Sequence, residues 1–200
     1  MITHAVGLSI GPTSSIESGV AVKEIASGKL IYVDKLFSMQ DIELFFKNYP
    51  SIKNSIICVS LPWDNTMLEG KWRVLSKSYQ LIQTLGNFPN SDNWTQRFSS
   101  RGCDLISNLT KEGAKIYRYE IYLTRQKFNL YSNFKERSSA DCKFLQYALK
   151  QEFNIEELPT NMMPVAQLEA LVGTLLALEK LNNNTKTLFN YKGLDVINLA

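Results

Sequence analysis

Apolar and polar positions alternate, run together and break at places that divide the chain into recognisable elements. Ala5 to Ile10 is apolar or small on both faces, and after Gly-Pro-Thr-Ser-Ser the alternation resumes at Val20 and Val22. Two such runs bounded by Gly, Pro and Ser predict two strands joined by a turn. Burial on both faces marks the first as a central strand. Gly7 and Gly11 bracket Ser9, so backbone or ligand can approach that strand end closely; the plainer reading of the pattern is a core hairpin and nothing more. Leu30 to Phe37 predicts a third strand. Ser38 with Asp41 has the spacing of a capping box, and the helix it opens carries Ile42, Phe45, Phe46 and Tyr49 before Pro50 stops it. Ser55 to Leu61 is a short apolar run before Pro62, the pattern of a buried parallel strand.

Further on, Thr66 with Glu69 caps a helix expected through Trp72, Leu75, Tyr79, Ile82 and Leu85, ending at Gly86. Residues 86–100 are rich in turn formers and read as a long loop. A helix over Ser100 to Lys111 stops at Gly113, and Lys115 to Thr124 alternates as a fifth strand around Ile116, Ile121 and Leu123. Ser138 or Ser139 caps a helix bearing Phe144, Leu145, Ala148 and Leu149. Pro164 opens an almost wholly apolar helix, Val165 to Leu181, which ends at the Asn182-Asn-Asn-Thr run. Leu194 to Asn198 predicts a final edge strand. Strands first and alternation with helices afterwards predict an α/β domain with a mixed sheet. Its first three strands form an antiparallel meander, and the fourth and fifth add in parallel. Such sheets bind ligands at the carboxyl ends of their strands. The whole of 1–200 reads as one domain, with a helical and loop insertion around 64–113.

Composition narrows the classes only a little. A hydrophobic share of 44% and a charged share of 20% describe an ordinary globular chain. Cys58, Cys103 and Cys142 are odd in number and widely spaced, which fits neither a metal motif nor a disulfide framework and points to the cytoplasm. No apolar run is long enough to span a bilayer, and the N-terminus lacks the pattern of a secretory signal. His4 is the single histidine, which removes a histidine-based triad. Gly11-Pro-Thr-Ser-Ser lacks the lysine of a P-loop.

Two carboxylates stand out. Glu169 lies within Val, Leu and Ala on the last helix, with Gly173 one turn on leaving room beside it. A carboxylate on an apolar face needs a partner, a metal or solvent. Glu120 sits in Tyr-Arg-Tyr-Glu-Ile-Tyr-Leu, where it either points outward or pairs with Arg118. Converging from a strand and a helix, the two would suit Mg²⁺, which takes oxygen ligands. Charge is also uneven: ten basic and five acidic residues give 97–143 a net +5, against −2 for the rest. Arg97, Arg101, Arg118, Arg125 and Lys127 lie there among Tyr117, Tyr119, Tyr122, Phe128, Tyr131 and Phe134. Cations interleaved with aromatics are what a nucleic acid is gripped and stacked by, and equally what a solvated face over core aromatics looks like. A homodimer is compatible with the sequence.

Five landmarks in order resemble a family of predicted nucleases with a ribonuclease-H-like fold, a domain of unknown function. Gly7-Leu8-Ser9-Ile10-Gly11 stands where the family opens with glycine, an apolar residue, aspartate and glycine. Val59-Ser60-Leu61-Pro62 stands for its Ile-Asp-x-Pro. Arg101-Gly102-Cys103-Asp104 matches an Arg-x-Cys-Asp element, and Glu120-Ile121-Tyr122 matches Glu-Val-Tyr without the following proline. Glu169-Ala170-Leu171-Val172-Gly173-Thr174-Leu175-Leu176-Ala177 is similar to the family's last helix. The resemblance implies a ribonuclease-H-like, mixed five-stranded sheet flanked by helices. It implies a site at Ser9, Ser60, Glu120 and Glu169, with Mg or Mn as the metal. Two expected aspartates are Ser9 and Ser60, neutral hydroxyls that bring no charge to a cation. Glu169 and Glu120 remain as metal ligands, joined by Asp64 four residues past Ser60, or by Asp104. The expectation is a degenerate active site on a domain that binds nucleic acid or a protein. The alternative is an active divalent-metal-dependent nuclease. An actin-like sugar kinase or ATPase shares the sheet but normally needs two such domains, and 200 residues supply one.

Overall fold

The computed structural model describes residues 1–11, 14–49, 52–60, 105–191 and 194–200. Strand β1 (His4–Ser9) is buried along all but its first residue, as an apolar run with no polar face requires. It pairs antiparallel with β2 (Ser18–Glu24), which pairs antiparallel with β3 (Leu30–Leu36). Helix α1 (Met39–Asn48) follows, opened by the expected capping box. The Ser38 hydroxyl accepts the Asp41 N–H at 3.0 Å, and the Asp41 carboxylate accepts the Ser38 N–H at 2.8 Å. Strand β4 (Ser55–Ser60) is buried throughout and lies parallel to β1. Residues 105–111 are helical (α2) and stop at Gly113, whose φ of 89° is the left-handed geometry that glycine reaches without strain. Strand β5 (Lys115–Tyr119) then lies parallel to β4.

The remaining elements are α3 (Ile121–Lys127), α4 (Ser139–Glu152), α5 (Val165–Leu181), β6 (Thr185–Tyr191) and β7 (Leu194–Leu199). Among the described residues the sheet has seven strands, in the order β3-β2-β1-β4-β5-β7-β6. The expected count of five is therefore too low. The run Leu194 to Asn198 is not at the edge: β7 lies between β5 and β6, and β6 forms the edge through an antiparallel pairing in which Tyr191 meets Leu194. Thr185 to Tyr191 alternates too weakly in hydrophobicity to announce a strand. The usable signal was Lys192-Gly193 between two β-prone runs. A second correction concerns Glu120, which is not within β5. The strand ends at Tyr119, and Glu120 is the N-cap of α3, its carboxylate accepting the Leu123 N–H at 2.7 Å. Glu is an unusual N-cap, so the apolar positions after it read as strand.

Helices cover both faces of the sheet. Ile42, Phe45 and Phe46 of α1 and Leu105, Ile106 and Leu109 of α2 pack with Val6, Leu8, Val20, Ile57 and Val59. On the other face α3, α4 and α5 pack with Ala5, Ala21, Cys58 and Tyr119. Helix α5 lies unusually close to the sheet: a Cβ at Gly7 would fall 1.7 Å from the Ala170 carbonyl oxygen, and one at Gly19 1.9 Å from that of Ala166. Only glycine permits that approach. The Thr174 hydroxyl, donating 3.1 Å to the Ala21 carbonyl oxygen, ties the same surfaces together. Among the described residues no helix is long and apolar enough to cross a membrane.

Candidate functional site

Three parallel strands end side by side. Ser9 of β1 is in register with Ser60 of β4, and Ser60 with Tyr119 of β5. Cα partners on neighbouring strands share a face, so the three side chains form a row on the α5 side of the sheet. The close seat of α5 brings Glu169 onto this row. The Ser9 hydroxyl donates to Glu169 Oε2 at 2.8 Å, across 160 residues of sequence. The Tyr119 hydroxyl donates to the Glu169 carbonyl oxygen at 2.8 Å. Gly173 does leave room on α5, and the Tyr119 ring takes it: a Cβ there would stand 2.7 Å from the phenol oxygen. Ser9, Ser60, Glu120 and Glu169 are all buried; Ser9 and Ser60 end β1 and β4, Glu120 follows the end of β5, and Glu169 meets Ser9 from α5. The buried Tyr119 phenol is held well above its usual pKa, first by burial and then by the negative charge of Glu169, with Glu120 a smaller contributor. A hydrogen bond with Ser60 pulls the other way.

The counter-charge to Glu169 comes from a residue the sequence did not single out. Arg137 Nε lies 3.2 Å from Oε1, and Nη2 donates to Oε2 at 3.4 Å. The Glu169 charge raises the Arg137 pKa above its ordinary value. Arg137 is held in turn by Asp141. Its backbone has a φ of 60°, and its N–H donates to Asp141 Oδ2 at 2.9 Å. Asp141 also accepts both ends of the Arg125 guanidinium, at 3.0 and 2.7 Å, and the Ser132 hydroxyl at 2.7 Å. Ser138 caps α4 and receives the Asp141 N–H at 3.3 Å. Burial pushes the Asp141 carboxyl up, but the Arg125 and Ser132 hydrogen bonds and the Arg125 charge outweigh it and hold it below its ordinary range. The sequence offers Ser138 or Ser139 as the cap of this helix, and the structure selects Ser138; nothing local points to Arg137.

The expected phosphate-binding residues divide. Arg118 and Arg125 are buried, Arg125 in the Asp141 pair, so neither guanidinium is presented on the surface. Lys127 is exposed, as are Lys135, Arg137 and Lys143. Of the interleaved aromatics, Tyr119, Tyr122 and Phe128 are core, while Phe134 and, on α4, Tyr147 are 52% and 68% exposed. Asp64, Arg97, Arg101 and Asp104 lie outside the described residues, as does most of the expected insertion. Among the described residues no three His, Cys, Asp or Glu side chains gather to hold a metal ion. Among the described residues the partners of the Glu169 carboxylate are a neutral hydroxyl and a guanidinium, neither of which is the negatively charged oxygen ligand that Mg²⁺ or Mn²⁺ favours. No protein-family model matches the chain, and comparison with curated proteins finds no match.

Proposed function

We propose that the chain is a divergent ribonuclease-H-like domain that binds nucleic acid without hydrolysing it. The meander β3-β2-β1 followed by parallel β4 and β5 is consistent with that ancestry. One observation carries the non-catalytic reading: both Glu169 oxygens are engaged by Ser9 and Arg137 at the strand ends where a two-metal site needs free carboxylates. The nucleic-acid reading rests on the exposed Lys127, Lys135 and Lys143 with the exposed rings of Phe134 and Tyr147. Cations there meet phosphates, and rings stack bases.

Two measurements test it. A labelled single-stranded oligonucleotide, titrated by fluorescence anisotropy, binds with an affinity that falls linearly in a log–log salt plot. Lys135→Ala with Lys143→Ala makes the slope shallower by about 0.7 for each phosphate that is no longer neutralised. No binding at about 50 mM salt removes nucleic acid as the partner. The same oligonucleotide stays intact with Mg²⁺ or Mn²⁺. Cleavage abolished by Glu169→Gln would instead establish the metal-dependent nuclease.

A further inference from the structure

We infer that Arg137 is the resident cation of the strand-end crevice, standing beside Glu169 where a divalent ion stands in ribonuclease-H-like metal sites. The comparison with metal sites rests on the fold reading above; the assignment of Arg137 itself rests on geometry. Glu169 has 6% of its surface exposed, and a carboxylate at that depth needs a compensating charge. The guanidinium meets it with two nitrogens, Nε to Oε1 and Nη2 to Oε2, while the Ser9 hydroxyl also donates to Oε2. A dication placed on these oxygens would sit against a fixed positive charge and displace both hydrogen-bonding partners.

Arg137 is also positioned by a dedicated set of contacts. It adopts a left-handed backbone that a non-glycine residue reaches only at a cost. That conformation is secured by Asp141, which is itself locked by Arg125 and Ser132. The 41% exposure of the Arg137 side chain means that truncating it opens a hole solutes can reach.

Chemical rescue tests this. Arg137→Ala should melt at least about 4 °C below wild type. Millimolar methylguanidinium chloride should restore part of that loss by binding the folded state. It should leave wild type and Arg137→Ala with Glu169→Gln unmoved. Mn²⁺ should raise the melting point of Ser9→Asp with Arg137→Ala, and not that of Ser9→Asp alone, where the guanidinium still holds the place. If Arg137→Ala does not fold, Arg137→Met combined with Glu169→Gln removes both charges and should recover the fold. A double variant no more stable than Arg137→Met overturns the inference. So does a wild type stabilised by Mn²⁺ as strongly as the Ser9→Asp, Arg137→Ala protein, or an Arg137→Ala protein indifferent to methylguanidinium. None of these melts involves nucleic acid, so the binding proposal and this one fail separately.

Discussion

Replacing Gly7 by alanine tests the close approach that puts Glu169 onto the strand ends. The new Cβ would lie 1.7 Å from the Ala170 carbonyl oxygen and 2.5 Å from the Thr174 nitrogen, both backbone atoms of α5. An ordinary carbon–oxygen contact is about 3.3–3.6 Å, so the helix must retreat by about 1.5 Å or more. Eleven residues of α5 are buried, so it cannot retreat without loosening its packing on β1, β2 and β4. Overpacking of this kind costs about 1–3 kcal/mol. Breaking the 3.1 Å bond from Thr174 to the Ala21 carbonyl adds about 0.5–1.5 kcal/mol. The expected total is about 2–4 kcal/mol. At a urea m-value of about 2–3 kcal/mol/M, the midpoint followed by circular dichroism should fall by about 1 M. The displacement also stretches the 2.8 Å bond between Ser9 and Glu169. A midpoint within about 0.2 M of wild type would refute the close seat of α5.

Arg125→Met leaves the buried Asp141 carboxylate without its counter-charge and should cost about 3–5 kcal/mol in a denaturant melt. The Asp141 carboxyl is held below its ordinary pKa in the folded state, so its stabilisation is present above the unfolded value of about 3.9 and is lost as pH falls through the folded value. Wild type should therefore lose stability below about pH 4 more steeply than Asp141→Asn in parallel acid titrations of the melting point. Leu171, 1% exposed on α5, should cost about 2–5 kcal/mol as Leu171→Ala, and a loss within the error of the melt would make α5 peripheral.

Local chemistry made much of the scaffold legible. The Ser38–Asp41 box, Gly113, Pro164 and the unbroken apolar runs of β1 and β4 act through neighbours within a few residues, so their effects are written in adjacent positions. Where a side chain competes with periodicity, as the Glu120 carboxylate does by capping α3, the pattern misleads. The placement of Ser9, Ser60 and Glu120 at strand ends follows from the sequence only through the strand-end rule and the resemblance. Whether Glu169 meets a metal, solvent or a cation depends on what the fold brings up to it, and periodicity carries no such information. Arg118, Arg125 and Arg137 look alike in sequence; two are buried, and the third reaches Glu169, 32 residues away, from a loop anchored on Asp141. By itself the sequence determined β1 to β4, α1, α4 and α5 and the presence of serine in place of two acids at Ser9 and Ser60, because caps and apolar periods are short-range. Only the tertiary structure decided which charge answers Glu169, because that pairing depends on the close approach of α5 to Gly7 and on a loop held by a buried ion pair.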